Sequence, residues 1–224
     1  MRDATRPAPP PRTAKGRATR ERIVAGAARL MYDRGVARTS LDDVKTEAGV
    51  SSSQLYHYFD DKAALVGAVI EHQTDAILDG QQPHLASLDS IAALQAWRDV
   101  LVRHRRRLHC AGGCPIGSLA SELSESDPRA RAELAAGFRR WEASIRHGLQ
   151  AMRARGELGH DADPNALAVA LLAAVQGGIL LSQLHRSTAP LETAVDTMIA
   201  HIASLGPTLH GRRRATRARR TRAT

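Results

Sequence analysis

Residues 40–62, SLDDVKTEAGVSSSQLYHYFDDK, constrain this chain more than any other stretch. Ser40 and Asp43 have the spacing of a capping box, in which each side chain satisfies a backbone N–H that a starting helix leaves free. Leu41, Val44 and Ala48 follow on one face at helical spacing, and Gly49 supplies the left-handed residue that ends this helix after about two turns. A second short helix begins at Ser51 or Ser52. It sends Leu55 and Phe59 one way and Ser53, Gln54, Tyr56 and His57 largely another. Two short helices joined by a tight glycine turn form a helix-turn-helix, whose second helix is narrow enough to enter a DNA major groove.

The charge of the chain does not sit in this stretch, which carries only Lys45 and Lys62 against five acids. The formal net charge is +9, but residues 1–22 hold seven Lys/Arg against two acids, and residues 206–224 hold seven Arg and no acid. The remainder has 18 basic and 21 acidic residues, a net −3. Residues 1–18 are expected to be a disordered basic arm and 206–224 a disordered Arg-rich tail. Two readings of these ends stay open: solubilising tails, or phosphate contacts that strengthen DNA binding without choosing sequence. The N-terminus has no apolar core of a secretory signal, so a cytoplasmic protein is expected.

The rest reads as helix, since no alternation of β-branched residues persists and Ala, Leu and Arg dominate. Thr19 is the expected N-cap of a first helix with Ile23, Ala27, Leu30 and Met31 on its apolar side, closed by Gly35. Asp61 caps the helix that follows the helix-turn-helix, with Leu65, Val69, Ala76 and Ile77 inward until Gly80. A fifth helix is expected over about 88–108, with Ile91, Leu94, Trp97, Leu101 and Leu108 buried. Pro115 opens a short sixth, and Asp127-Pro128 a long seventh through Leu134, Phe138, Trp141, Ile145, Leu149 and Met152. The eighth, from Asp163-Pro164, has no formal charge over 165–185. Asn165, Gln176, Ser182, Gln183 and a central Gly177-Gly178 pair argue against a membrane span and for burial. A ninth follows Pro190 with Leu191, Val195, Met198, Ile199, Ile202 and Leu205. One chain has little left to cover both of these apolar helices, so 164–185 and 190–205 are assigned to a homodimer interface.

By this point the residues are recognisable. Residues 23–65, IVAGAARLMYDRGVARTSLDDVKTEAGVSSSQLYHYFDDKAAL, resemble the N-terminal DNA-binding domain of the TetR family of bacterial transcriptional regulators. GCPIGSLASEL and ALLAAVQGGILL are similar to ligand-domain motifs of its LmrA/YxaF-like branch. The resemblance implies an all-α protein of about nine helices. A three-helix helix-turn-helix domain (19–65) would be followed by a helical effector-binding and dimerisation domain (66–205). It also implies a homodimeric regulator, by family default a repressor, that binds a palindromic double-stranded operator and is released by a small hydrophobic or aromatic effector. Carried over by motif position, Ser52, Ser53, Gln54, Tyr56 and His57 face bases and adjoining phosphates, while Thr39, Ser40 and Lys62 hold the phosphate backbone. Hydroxyls and helix N-termini suit phosphate, and Gln54 can pair with an adenine edge. Lys45 reads as a solvated face residue, and Tyr58 as closing the small core with Phe59.

The same analogy places an effector cavity among helices five to eight, with Trp97, Leu101, His104, Ile116, Leu119, Phe138, Trp141, Ile145 and Gln176 as its candidates. Trp97 and Trp141 offer stacking surfaces for a planar effector. The run HRRRLH around His104 reads most simply as a solvated face. Cys110 and Cys114 read as buried or loop thiols, with a thiol sensor as the alternative, since four ligands at zinc-finger spacing are missing. No metal or cofactor is expected, and no Gly-rich phosphate loop or nucleophile elbow suggests an enzyme. The competing reading is a DNA-binding architectural protein without a small-molecule effector.

Overall fold

Short polar caps decide where the helices of this chain begin. The computed structural model describes residues 13–206, and among them it has nine α-helices and no strand. They are α1 (Ala14–Arg34), α2 (Leu41–Ala48), α3 (Ser52–Tyr58), α4 (Lys62–Asp79), α5 (Ile91–Arg107), α6 (Pro115–Leu123), α7 (Pro128–Ala154), α8 (Pro164–His185) and α9 (Ala189–Ser204). Asp61 accepts the Ala64 N–H, Ser90 that of Ala93 and Asp163 that of Asn165, each filling one of the donors a helix start leaves free. Asp127 accepts from both Arg129 and Ala130 ahead of α7.

Two boundaries differ from expectation. The first helix starts five residues before Thr19, because Thr13 is its cap and accepts the Gly16 N–H; the Thr19 hydroxyl instead donates to the Lys15 carbonyl inside the helix. Residues 14–18, assigned to a disordered arm, are therefore helical. Residues 1–12 of that arm and residues 207–224 lie outside the described residues. The fifth helix begins at Ile91 rather than near 88, after a 3-10 turn at His84–Ser87, and Leu108 at its end is exposed rather than buried.

The chain forms two compact units. The first takes in the described residues up to Gly80 together with Cys114–Arg139. Its core joins Ile23, Ala27 and Met31 of α1 to Val44, Leu55, Phe59, Leu65 and Val69, and to Ile116, Leu119 and Leu134. Fully burying a side chain of this size is worth about 1.5–3 kcal/mol, so each of these residues is a substantial anchor of the unit. Gly35 ends α1 at φ 85, and its N–H returns to the Met31 carbonyl. Beside it, the Glu122 carboxylate of α6 accepts from the Val36 and Ala37 N–H groups at 2.8 and 2.7 Å.

The second unit comprises Gln81–Gly113 and the described residues from Arg140 onward, so α7 contributes to both. In it α8 and α9 form an antiparallel hairpin, turned at Arg186 in a left-handed conformation. Gly178 brings the two helices close, since a Cβ there would stand 2.7 Å from Leu191 Cα, and the Leu191 N–H donates to the Ser182 hydroxyl. Arg98 of α5 grips Asp196 of α9 with two N–H groups at 2.8 and 2.6 Å. The eighth helix is not buried all round. Leu167, Ala168, Leu171, Val175 and Ile179 are enclosed, while Val169, Leu180, Leu181 and Leu184 form an apolar face open to solvent. By length and composition alone the same helix is apolar enough to cross a membrane.

Candidate functional site

The helix-turn-helix is built almost entirely from local hydrogen bonds. Ser40 and Asp43 form the expected capping box: the Ser40 hydroxyl accepts the Asp43 N–H, and the Asp43 carboxylate accepts the Ser40 N–H at 2.8 Å. The Ser40 hydroxyl also donates to the Asp43 carboxylate at 2.6 Å, and that bond first and the Ser40 N–H second hold the Asp43 carboxyl below its ordinary value. Gly49 then takes φ 61 and ψ 44, and its N–H returns to the Lys45 and Thr46 carbonyls. The turn ends at Ser51, which caps α3.

The start of α3 repeats the same spacing. Ser51 and Gln54 are also a capping box: the Gln54 N–H donates to the Ser51 hydroxyl, and the Ser51 N–H donates to the Gln54 side-chain carbonyl at 3.0 Å. The Gln54 oxygen is thus engaged within the protein. Leu55 and Phe59 anchor α3 in the core, and Arg20 lies over the Phe59 ring. Ser52, Ser53, Gln54, Tyr56 and His57 face outward on one short helix, with Tyr56 53% exposed. Tyr58 is half-buried and meets the His57 ring edge-on.

The other three expected phosphate contacts divide. Ser40 is exposed. Thr39 does not join it: the residue is buried, and its hydroxyl donates to the Gly35 carbonyl. Lys62 is half-buried and donates from Nζ to the Val36 carbonyl at 2.6 Å, which leaves two of its three donors for another acceptor. Lys45 pairs with Asp42 on α2. Glu122, which accepts the N–H groups of Val36 and Ala37 beside that carbonyl, has no counterpart among the expected residues.

The candidates for an effector site also divide. In the first unit Ile116 and Leu119 are buried and Phe138 is half-buried. Leu119 lines a cavity of about 80 Å³ with Met31, Gln73 and Glu122, well short of the roughly 300–1,000 Å³ of a drug-sized site. In the second unit Leu101 and Ile145 are buried, and Trp97 is wholly enclosed with its indole N–H donating to Gln81 at 2.8 Å. Trp97 is therefore packed core and presents no open ring face. Trp141 is equally buried, yet its indole N–H has no acceptor, and neither has the Gln176 side-chain N–H. Arg105, read as part of a solvated run, is 3% exposed. Its Nη2 donates to the Ala111 and Gly112 carbonyls, and its buried Nε–H has no partner.

Next to it, His104 lies largely at the surface. Partial burial, followed by the nearby Arg105 and Arg107 guanidiniums, holds its imidazole below the ordinary value. The folded protein thus favours neutral His104, and the unfolded chain takes up the proton first as pH falls. Stability from this group is present above the ordinary midpoint of about 6.5 and is lost as pH drops through the lower folded value. The Tm of His104→Gln, followed from pH 8 to 5, is expected to decline less steeply than that of the parent protein; parallel curves would count against this assignment. Cys110 and Cys114 are both buried and free, and no group of three or more His, Cys, Asp or Glu among the described residues could hold a metal.

Comparisons with known proteins agree with this geometry. The family model described as bacterial regulatory proteins, tetR family, matches residues 23–69, and the one described as tetracyclin repressor-like, C-terminal domain, matches 90–198. An HTH-type transcriptional regulator in the lacX 3′ region of Lactococcus lactis is 28% identical over 198 residues, covering 85% of this chain and 96% of that protein. The transcriptional regulator AcuR of Cereibacter sphaeroides is 29% identical over 182 residues, covering 78% and 80%. The crystal structure of a TetR transcriptional regulator from Chloroflexus aurantiacus superposes with a TM-score of 0.73 at 28% identity, over 87% of this chain and 98% of that one. With family models matching both halves of an all-helical chain that opens on a helix-turn-helix, the protein belongs to the TetR family of bacterial transcriptional regulators, which bind DNA as dimers and are not enzymes.

Proposed function

We propose that this protein is a ligand-responsive repressor that works in the cytoplasm as a homodimer on a palindromic operator. The observation that carries the reading is the outward face of α3, where Ser52, Ser53, Gln54, Tyr56 and His57 surround a helix pinned from behind by Leu55 and Phe59. Two copies of that helix, set about 34–36 Å apart, would enter successive major grooves. Ser40 and the remaining Lys62 donors would hold phosphates, and Tyr56 would add a hydroxyl to the backbone contacts. Gln54 would read a base only after its carbonyl leaves the Ser51 N–H, so part of its binding energy offsets a lost hydrogen bond of about 0.5–1.5 kcal/mol.

The exposed apolar face of α8 supports the homodimer, because a monomer would leave Val169, Leu180, Leu181 and Leu184 in water along one helix. A second copy presenting the same face around a twofold axis covers all four. The effector is proposed to bind in the helical body and to favour the form in which the two α3 helices no longer match the groove spacing. It can displace DNA by no more than its difference in affinity for the two forms.

The test is to select an operator from a random duplex pool and measure its binding by fluorescence anisotropy. Gln54→Ala is expected to weaken that operator by about 5- to 150-fold, the range for one bidentate base contact, and to relax preference at one base pair per half-site. Tyr56→Phe should weaken all duplexes to a similar degree. Equal affinity for every duplex, unchanged in both variants, would favour an architectural protein instead.

A further inference from the structure

The helix-turn-helix has the wrong sign of charge for its partner. Residues 40–62 carry five acids against Lys45 and Lys62. Lys45 is paired with Asp42, and Lys62 gives one donor to the Val36 carbonyl. Two arginines of α1 are engaged there as well, Arg29 with Glu47 and Arg34 with Asp43. Duplex DNA carries one negative charge per about 1.7 Å of its axis, so a surface of this kind needs cations from a neighbouring element to approach it.

Such cations stand at the start of α1. Residues 13–22 hold Lys15, Arg17, Arg20 and Arg22 against the single acid Glu21, and among the described residues none of the four forms an ion pair. Because Thr13 caps the helix ahead of Thr19, Arg17 is carried on regular helix, and it is exposed. Arg20 fixes where this turn lies. Its guanidinium stands over the Phe59 ring, 5.4 Å from the centroid, and Phe59 is the C-cap of α3. The start of α1 therefore abuts the end of the helix whose outward face was assigned to bases. A guanidinium covered on one face by a ring keeps its in-plane N–H donors for an acceptor such as phosphate. Arg17, three residues earlier, shares the face of Arg20 one turn further out. At about 100° per residue, Lys15 and Arg22 fall on the opposite flank of the helix. A recognition helix puts its N-terminal residues on base edges, which turns its other end toward the rim of the groove, where the phosphates run.

We propose that Arg17 and Arg20 form a second DNA contact in each protomer, a clamp on the phosphates that flank the base pairs read by α3. This rests on the operator-binding reading above and adds to it two residues outside the helix-turn-helix. The clamp supplies the positive charge that residues 40–62 lack. It strengthens binding to every duplex and steepens its salt dependence, and it leaves the choice of bases to α3.

The test uses the full-length protein and the selected operator, with anisotropy read from about 50 to 200 mM salt. Arg17→Gln removes two phosphate contacts from a dimer. The slope of log K against log salt should therefore become shallower by about 1.8, and affinity near 0.1 M salt should fall roughly tenfold or more. Arg17→Lys should keep both. Arg20→Leu still covers the Phe59 ring and should behave like Arg17→Gln, with circular dichroism confirming that each variant is folded. Arg22→Gln loses the same charge from the opposite flank and should bind as the parent does. Ethylation of a flanking phosphate should weaken the parent protein and leave Arg17→Gln unaffected, and base preference should be the same in all variants. The proposal is overturned if Arg17→Gln and Arg20→Leu keep the parent's affinity and slope, if Arg22→Gln loses as much as they do, or if their loss is confined to one base pair. A protein that prefers no duplex sequence sinks the operator reading, while the same slopes on a random duplex still decide the clamp.

Discussion

Replacing Leu180 and Leu184 together with glutamate is expected to leave the protein monomeric and to reduce its affinity for a palindromic operator by about 10²- to 10⁴-fold. That is the range lost when two linked sites no longer act together. The two positions lie one turn apart on α8 and are 56% and 69% exposed in the single chain, so the exchange removes nothing from the protomer's own core. Two carboxylates per chain, brought against their copies across a twofold axis, would have to be desolvated without counter-charges. Sedimentation velocity reports the mass, and anisotropy with one operator duplex reports the affinity. A dimer that survives both charges with full operator binding would place the interface elsewhere.

Trp97→Ala is expected to be the most damaging single truncation inside the fold. The side chain is wholly enclosed, and its indole N–H closes a hydrogen bond to Gln81, so the change opens a large cavity and removes that donor together. Large aromatic truncations of this type cost about 3–5 kcal/mol, which for a chain of this size lowers Tm by roughly 6–20 °C. Trp97→Phe, which keeps most of the volume, should fall much less. Thermal unfolding followed by circular dichroism measures both, and a small loss for Trp97→Ala would mean that the ring faces open space after all.

The contrast between these residues shows which features a sequence exposes. The helix-turn-helix was legible because its determinants are local: a cap and its reciprocal carboxylate three residues apart, a left-handed glycine, and two apolar anchors one turn apart. Even the engagement of Gln54 could have been read, since Ser51 and Gln54 repeat the spacing that marked Ser40 and Asp43. The start of α1 was misplaced because Thr13 and Thr19 are equally good caps by chemistry, and no proline or paired glycine between them forces a break. Arg105 was misread for a different reason. It follows Leu101 by four residues and Trp97 by eight, squarely on the buried stripe of α5, but its charge outweighed its position. Lys62 and Glu122 could not have been placed from sequence, since their partners are backbone groups of 36 and 37 brought near by the fold. The open face of α8 was equally hidden, because a helix apolar on every side gives no local sign of which side its own chain covers.

The Val36–Ala37 peptide is held at both ends by ionisable side chains of other helices, Glu122 at the Ala37 N–H and Lys62 at the Val36 carbonyl. That joint is written in main-chain atoms, and its genetics differ from those of an ordinary contact. Exchanging the side chain at position 37 leaves the two N–H groups where they are, so a conventional scan would pass across the connection without registering it. Proline at 37, which deletes the N–H that Glu122 receives, or a change at 122 or 62 themselves, is what would bring it to light. A screen for loss of stability should therefore recover positions 62 and 122 far more often than the segment they hold.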